Sequence, residues 1–227
     1  MSIWNPWRGC KKCSDGCMYC YIHKGDLKRG INTNDIIKTK DFYKPIEKKK
    51  NGDYKMKSGF VNMCFQSDFL LEDMIKTRSD CDFFFLTKRI DRFEKCMPLD
   101  IGDGYNNLIV GCTVENQKNI DYKLPIFKHL PIKHKYIILQ PLLEEVNIED
   151  YLDGIELVVV GGESDKNARV LDYNWVLSIR EQCIKHDVEF SFRQCGSHFL
   201  KDGKMYNLQV RDLCKQARLA NIDYHKK

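Results

Sequence analysis

A chain of 227 residues, 43% hydrophobic and 11% aromatic, has the length of one large domain and the apolar content of a globular one, which excludes an intrinsically disordered protein. The formal net charge of +5 is mild; it allows a nucleic-acid partner through phosphate neutralisation without requiring one. No run of about eighteen apolar residues occurs, and the opening Met1-Ser2-Ile3-Trp4-Asn5-Pro6-Trp7-Arg8 lacks the apolar core of a secretory signal. The expectation is a cytoplasmic protein with no membrane partner, its eleven Cys (an odd number, which cannot all pair) kept in a reducing setting.

The first distinctive stretch is neither helix nor strand. Cys10-Lys11-Lys12-Cys13-Ser14-Asp15-Gly16-Cys17-Met18-Tyr19-Cys20 holds four thiols, more than packing needs, since a structural Cys usually stands alone as a small hydrophobe. Gly9 and Gly16 each precede a Cys, where backbone can turn tightly or come close to a bound group. Cysteines this dense in a chain without an export signal read as a metal site. Zinc would take four tetrahedral ligands, often from two well-separated Cys-x-x-Cys pairs. An iron–sulfur cube is usually held by four Cys thiolates, and three would leave one iron open to an outside ligand. The spacing Cys13-x-x-x-Cys17-x-x-Cys20, with Tyr19 before the last Cys, resembles the cluster loop of the radical S-adenosylmethionine (SAM) superfamily.

Residues 21–40 are polar and mixed, and predict a short helix and a connection. Residues 41–59 carry Pro45, the Lys48-Lys49-Lys50 run and Asn51-Gly52, which predict an exposed loop or turn with the lysines solvated. From there short apolar runs alternate with amphipathic segments. Strands are expected at 60–65, 82–86, 107–114, 135–139, 156–160 and 188–192, and helices at 89–96, 119–130, 173–186 and 208–219. A run such as Leu157-Val158-Val159-Val160 implies burial on both faces, as in a parallel sheet covered by helices. Trp175, Ile179 and Cys183 mark a core-facing helical stripe. Alternation of this kind predicts an α/β fold, a parallel (β/α) barrel or a doubly wound sheet, in one domain spanning 1–227 with 197–227 as a C-terminal helical extension. Cys64, Cys81, Cys96, Cys112, Cys183 and Cys214 fall within elements, where burial is the default reading.

In parallel barrels the chemistry gathers at the carboxyl ends of the strands. Here those ends read Gln66-Ser67-Asp68, Thr87-Lys88-Arg89, Thr113-Val114-Glu115-Asn116, Gln140-Pro141, Gly161-Gly162-Glu163-Ser164 and Arg193-Gln194. One such end is only a strand meeting its loop; six with acids, amides and cations suggest a site. No Gly-x-Gly-x-x-Gly fingerprint and no Walker loop occurs. No Ser–His–Asp set or carboxylate pair stands out, so catalytic residues stay unassigned; of the six His, only His23 lies close to the cysteine loop.

Asn5-Pro6-Trp7-Arg8-Gly9-Cys10 followed by Ser14-x-Gly16-Cys17-x-x-Cys20-Tyr21 resembles a phage-associated three-cysteine-motif family of radical-SAM-like proteins, largely unassigned in function. The likeness continues through Ser67-Asp68-Phe69, Leu86-Thr87-Lys88-Arg89, Gly111-Cys112-Thr113-Val114-Glu115-Asn116, Pro141-Leu142-Leu143, Gly161-Gly162-Glu163-Ser164, Ala168-Arg169, and Trp175 onward to Arg193-Gln194-Cys195-Gly196. The spore photoproduct lyase group is a more distant likeness. The resemblance implies a barrel or partial barrel of the radical SAM type with an N-terminal cluster-binding loop. It implies a 4Fe–4S cluster on Cys10, Cys17 and Cys20, while the superfamily spacing offers Cys13 in place of Cys10. It further implies SAM as cofactor, held by strand-end groups: Ser67, Asp68, Lys88, Thr113, Glu115 and Glu163, with Asp68 or Glu115 accepting from its ammonium and Lys88 or Arg89 facing its carboxylate. The implied reaction is reductive cleavage of SAM to a 5′-deoxyadenosyl radical that takes hydrogen from a substrate, with electrons from a donor such as a flavodoxin or ferredoxin. The substrate is unassigned, a nucleic acid or nucleotide being compatible with the charge. The alternative is a zinc- or cluster-containing nucleic-acid-binding or sensing protein without catalysis.

Overall fold

A computed structural model gives the structure at residues 2–64, 72–97 and 100–226, with the side chains of Glu72 and Asp73 left aside. The chain divides into two compact units. The first comprises Met1–Cys13, Cys20–Gly111 and Leu130–His134; the second comprises Ser14–Tyr19, Cys112–His129 and Lys135–Lys227.

In the first unit the elements are β1 (Ser2–Trp4), β2 (Trp7–Arg8), α1 (Tyr21–Lys28), β3 (Ile37–Lys38), β4 (Gly59–Met63), α2 (Glu72–Thr77), β5 (Cys81–Thr87) and β6 (Leu108–Thr113), whose last residues pass into the second unit. The strand order is β1-β4-β5-β6. β1 runs parallel to β4 with Trp4 opposite Met63, and β4 parallel to β5 with Met63 opposite Phe85. Trp4, Val61, Met63 and Phe83 are fully buried, and the Trp4 and Phe83 rings meet edge to face at 5.9 Å. The indole N–H donates to the Asp41 carbonyl at 3.0 Å, which is what lets a Trp be buried this deeply. Arg78, equally buried, donates to the carbonyls of Pro45 and Met56 and to both Asp80 oxygens. The predicted helix at 89–96 forms instead as two 3₁₀ turns, Ile90–Arg92 and Glu94–Cys96. Only Ile90 and Phe93 in that stretch are buried, three residues apart, the spacing that suits a 3₁₀ turn.

The second unit contains α3 (Gln117–His129), β7 (His134–Leu139), β8 (Leu157–Gly161), β9 (Val170–Asp172), α4 (Tyr173–Lys185), β10 (Glu189–Gln194), β11 (His198–Lys201), β12 (Lys204–Asn207) and α5 (Leu213–Ala220). β8 lies between β7 and β10, parallel to both, and the Val114 N–H beyond β6 donates to the Ile138 carbonyl of β7 at 3.0 Å. Val158 and Val160 are fully buried, as their unbroken apolar run predicts. Asp172 caps α4 by accepting from the Asn174 N–H at 2.8 Å. Val176, Ile179 and Cys183 form its buried stripe, while Trp175 is only half-buried. Gln182 is also buried; it accepts from the Ile148 N–H and donates to the Val146 carbonyl, so that it holds a loop in place. Residues 197–227, expected to be helical, open with a hairpin: β11 pairs antiparallel with β12 and parallel with β9, and the helix is confined to α5. Asp202 and Gly203, both at positive φ, make the hairpin turn.

Each unit is mixed α/β with parallel strands. No helix among the described residues is long and apolar enough to cross a membrane.

Candidate functional site

In the first unit the chain reaches Cys10 through a fixed approach. Gly9 sits at φ +112°, and a Cβ there would lie 2.3 Å from the Asp35 carbonyl oxygen, so no side chain fits. The Cys10 N–H donates to the Thr33 carbonyl at 2.7 Å. Arg89 reaches over from the end of β5: its own N–H is held by Thr87 Oγ1 at 2.9 Å, its Nη1 lies 3.8 Å from Cys10 Sγ, and its Nη2 donates to the Lys11 carbonyl. A fixed positive charge therefore stands beside a half-buried sulfur. Lys88, next in the chain, has a buried Nζ with no hydrogen-bond partner among the described residues. Cys20, half-buried, opens α1, and Cys13 is exposed. Arg8 and Arg29 both donate to Asp26, whose side chain is 2% exposed, so the residue before Gly9 is tied to the helix that follows Cys20. Burial alone would raise the Asp26 pKa; the hydrogen bonds from Arg8, Arg29 and Thr33 outweigh it and hold the carboxyl below the ordinary carboxylate range.

In the second unit Asp15–Cys17 forms a 3₁₀ turn that buries Cys17, with its Sγ 3.6 Å from Ser14 Oγ. Two carboxylates and their cations grip this turn. Glu115, fully buried, accepts from the Gly16 N–H at 2.9 Å. Lys123 balances it, with Nζ 3.6 Å from Glu115 Oε2 and a bond to the Thr113 carbonyl at 3.3 Å. Asn116 donates to Asp15 Oδ2 at 3.0 Å. Glu163 receives the Arg169 N–H at 2.8 Å, Nε at 3.2 Å and Nη2, and the same Nη2 donates to the Asp15 carbonyl at 2.9 Å. These Glu163 bonds push the Arg169 pKa up, and the guanidinium lies 5.8 Å from the Tyr19 ring centroid, within cation–π range. Behind Glu163, Gly162 is packed so closely that a Cβ would lie 2.4 Å from the Gly196 Cα.

Of the residues predicted to bind cofactor, Ser67 and Asp68 lie outside the described residues. Glu115 is engaged with the backbone of the cysteine loop directly, Glu163 reaches it only through Arg169, Thr113 is buried with its carbonyl taken by Lys123, and Lys88 presents a buried Nζ without a hydrogen-bond partner among the described residues. The partner Lys123 carries no motif of its own, whereas Arg169 falls in the Ala168-Arg169 pair of the resemblance, without a role assigned to it there. All eleven cysteines are free thiols. Cys64, Cys81, Cys112 and Cys183 are buried as expected, whereas Cys96 and Cys214 are exposed: the first ends a 3₁₀ turn, and the second lies beside the buried stripe Leu213 and Ala217 of α5. Burial pushes the Cys183 and Cys195 thiols up to about 12. Among the described residues no group of three or more His, Cys, Asp or Glu side chains is placed to hold a metal ion. Cys10-Lys11-Lys12-Cys13 is a second Cys-x-x-Cys pair beside Cys17–Cys20, so four thiols are on offer to either zinc or iron.

These features define a class: an α/β protein of parallel strands whose N-terminal cysteine loop is supported by buried carboxylate–cation pairs. The chain belongs to the family described as protein of unknown function (DUF5131), whose model matches residues 1–223. No curated protein and no solved structure matches the chain.

Proposed function

We propose that this protein is an iron–sulfur enzyme of the radical SAM type, built on a partial (β/α) barrel and acting on a substrate yet to be identified. The observation that supports it best is the cysteine loop: four uncrosslinked thiols within eleven residues, on backbone held at Cys10 by Thr33, at Gly16 by Glu115 and at Asp15 by Arg169. The donor set fits the group in its chemistry. Cys10, Cys17 and Cys20 would hold a 4Fe–4S cluster, and Arg89 would offset the negative charge its thiolates carry. Lys88 Nζ is the donor available to the carboxylate of SAM. When bound, the cluster supplies the electron for reductive cleavage of a sulfur–carbon bond in SAM. The protein's own share is positioning. Glu115 with Lys123 and Glu163 with Arg169 keep the turn around Cys17 in one conformation, and the Arg8–Asp26–Arg29 group does the same for the approach to Cys10.

Anaerobic purification or reconstitution, with iron and acid-labile sulfide measured, tests the reading. The expected content is about four of each per chain, as a 4Fe–4S cluster requires. Cys17→Ala and Cys20→Ala should each abolish loading, and whichever of Cys10→Ala and Cys13→Ala does so identifies the third ligand. Dithionite with SAM should then yield 5′-deoxyadenosine. Full iron retention by all four variants would refute the ligand set. Zinc without sulfide would support the non-catalytic alternative.

A further inference from the structure

The positive charge of this chain is not evenly spread. Residues 1–13 and 20–57, all in the first unit, carry 14 Lys and Arg against 5 Asp and Glu, a net +9, so the remaining residues sum to −4 and leave the +5 of the whole. Within that basic stretch the acids are largely committed: Asp26 is buried between Arg8 and Arg29, Glu47 pairs with Lys55 at 3.1 Å, and Asp41 lies 3.8 Å from Lys44. Lys11, Lys12, Lys40, Lys48, Lys49 and Lys50 are exposed and have no acidic partner among the described residues. An isolated lysine run is most simply a solvated loop. Here the excess extends over the whole segment, and exposed aromatic rings lie among the cations. Tyr43 is 52% exposed, with Lys38 Nζ 4.2 Å from its ring centroid and bonded to its hydroxyl, and Tyr21 is 66% exposed. Phosphate-neutralising cations interleaved with accessible rings are what a single strand requires, because its unpaired bases can stack while its backbone is tracked by charge.

We infer that residues 8–13 and 20–57 form a binding face for single-stranded nucleic acid. The inference goes beyond the cofactor reading and does not depend on it, since it uses neither the cluster nor SAM.

The test is fluorescence anisotropy with a labelled 20-nucleotide single-stranded DNA and its RNA counterpart, on protein of measured iron content, titrated from low to moderate salt. Binding should weaken steeply with salt. The triple variant Lys48→Glu, Lys49→Glu, Lys50→Glu should lose about tenfold or more in affinity and flatten the log–log salt slope by about 2, at roughly 0.7 per phosphate contact on a single strand. Tyr43→Ala should lose about fivefold or more with the slope unchanged, as loss of one stacked base predicts. Lys118→Glu with Lys215→Glu, exposed charges of the second unit, should leave affinity within about twofold, and circular dichroism verifies that each variant is folded. The inference is overturned by any of three results: no salt-dependent binding to either oligonucleotide, binding to phosphatidylglycerol vesicles in preference to them, or equal affinity for a duplex together with an unaffected Tyr43→Ala. Because iron content is measured separately, a chain that binds oligonucleotide but takes up no iron and sulfide on anaerobic reconstitution sinks the cluster reading alone, and one that loads iron but ignores oligonucleotide sinks this one alone.

Discussion

Asp26 is the most informative residue to alter, because one buried carboxylate joins Arg8, just before the cysteine loop, to Arg29, just past α1. Asp26→Asn keeps the shape and removes the charge. Breaking a fully buried ion pair costs about 3–5 kcal/mol. Here the partners can turn to water, since the side chains of Arg8 and Arg29 are 28% and 61% exposed, and Asn still accepts one bond. The loss is therefore closer to that of a charged hydrogen bond, about 2 kcal/mol. For a chain of this size that lowers the melting temperature by about 4–8 °C at pH 7. The carboxyl's pKa is depressed in the folded state, so its contribution is fully present above the ordinary Asp range and is lost as pH falls through the folded value. Thermal unfolding followed by circular dichroism should show the gap between wild type and variant closing below about pH 4. A variant that melts with wild type at pH 7, or a gap that persists unchanged into acid, would show that the Arg8–Asp26–Arg29 group does not brace the loop.

Two further outcomes follow from the same structure. Iodoacetamide at pH 8 on native, metal-free protein should label the exposed Cys13, Cys96 and Cys214 and spare Cys183 and Cys195, whose thiols at about 12 leave on the order of one in ten thousand as thiolate; peptide mass mapping reads this, and equal labelling of Cys183 would contradict its burial. Arg169→Ala should speed amide hydrogen exchange in residues 14–19 while leaving β10 protected, because it removes the donor to the Asp15 carbonyl and leaves Glu163 buried beside no cation; unchanged exchange there would mean the turn around Cys17 is held by Glu115 alone.

The strands that were legible in the sequence are those whose burial is on both faces. Leu157 to Val160 has no polar interruption, and Phe83 to Phe85 is nearly as plain. β1 was not legible: three residues long, it buries Trp4 and leaves Ile3 57% exposed, too short a stretch for any period to emerge. The hairpin at Asp202-Gly203 carries a strong turn signal, yet its strand β12 is exposed throughout and so has no apolar alternation to accompany the turn. At the site, Glu115 and Glu163 stand out because acids directly after apolar runs are conspicuous. Lys123 does not: it reads as one more polar residue of α3, and only the folded chain brings its ammonium to Glu115 and the Thr113 carbonyl. Trp175 misleads for a related reason, since the helical repeat that includes it fits equally well with Val176 in the buried place.

Arg78 has a consequence well away from its own strand. By donating to Pro45 and Met56, it clips both ends of the stretch that carries Lys48 to Lys50, so those lysines ride on a tethered hoop and not on a loose tail. A hoop already closed has little backbone freedom left to surrender when a polyanion arrives, and this favours tight capture from few contacts. Cutting either clip would leave every surface charge in place and still slacken the grip.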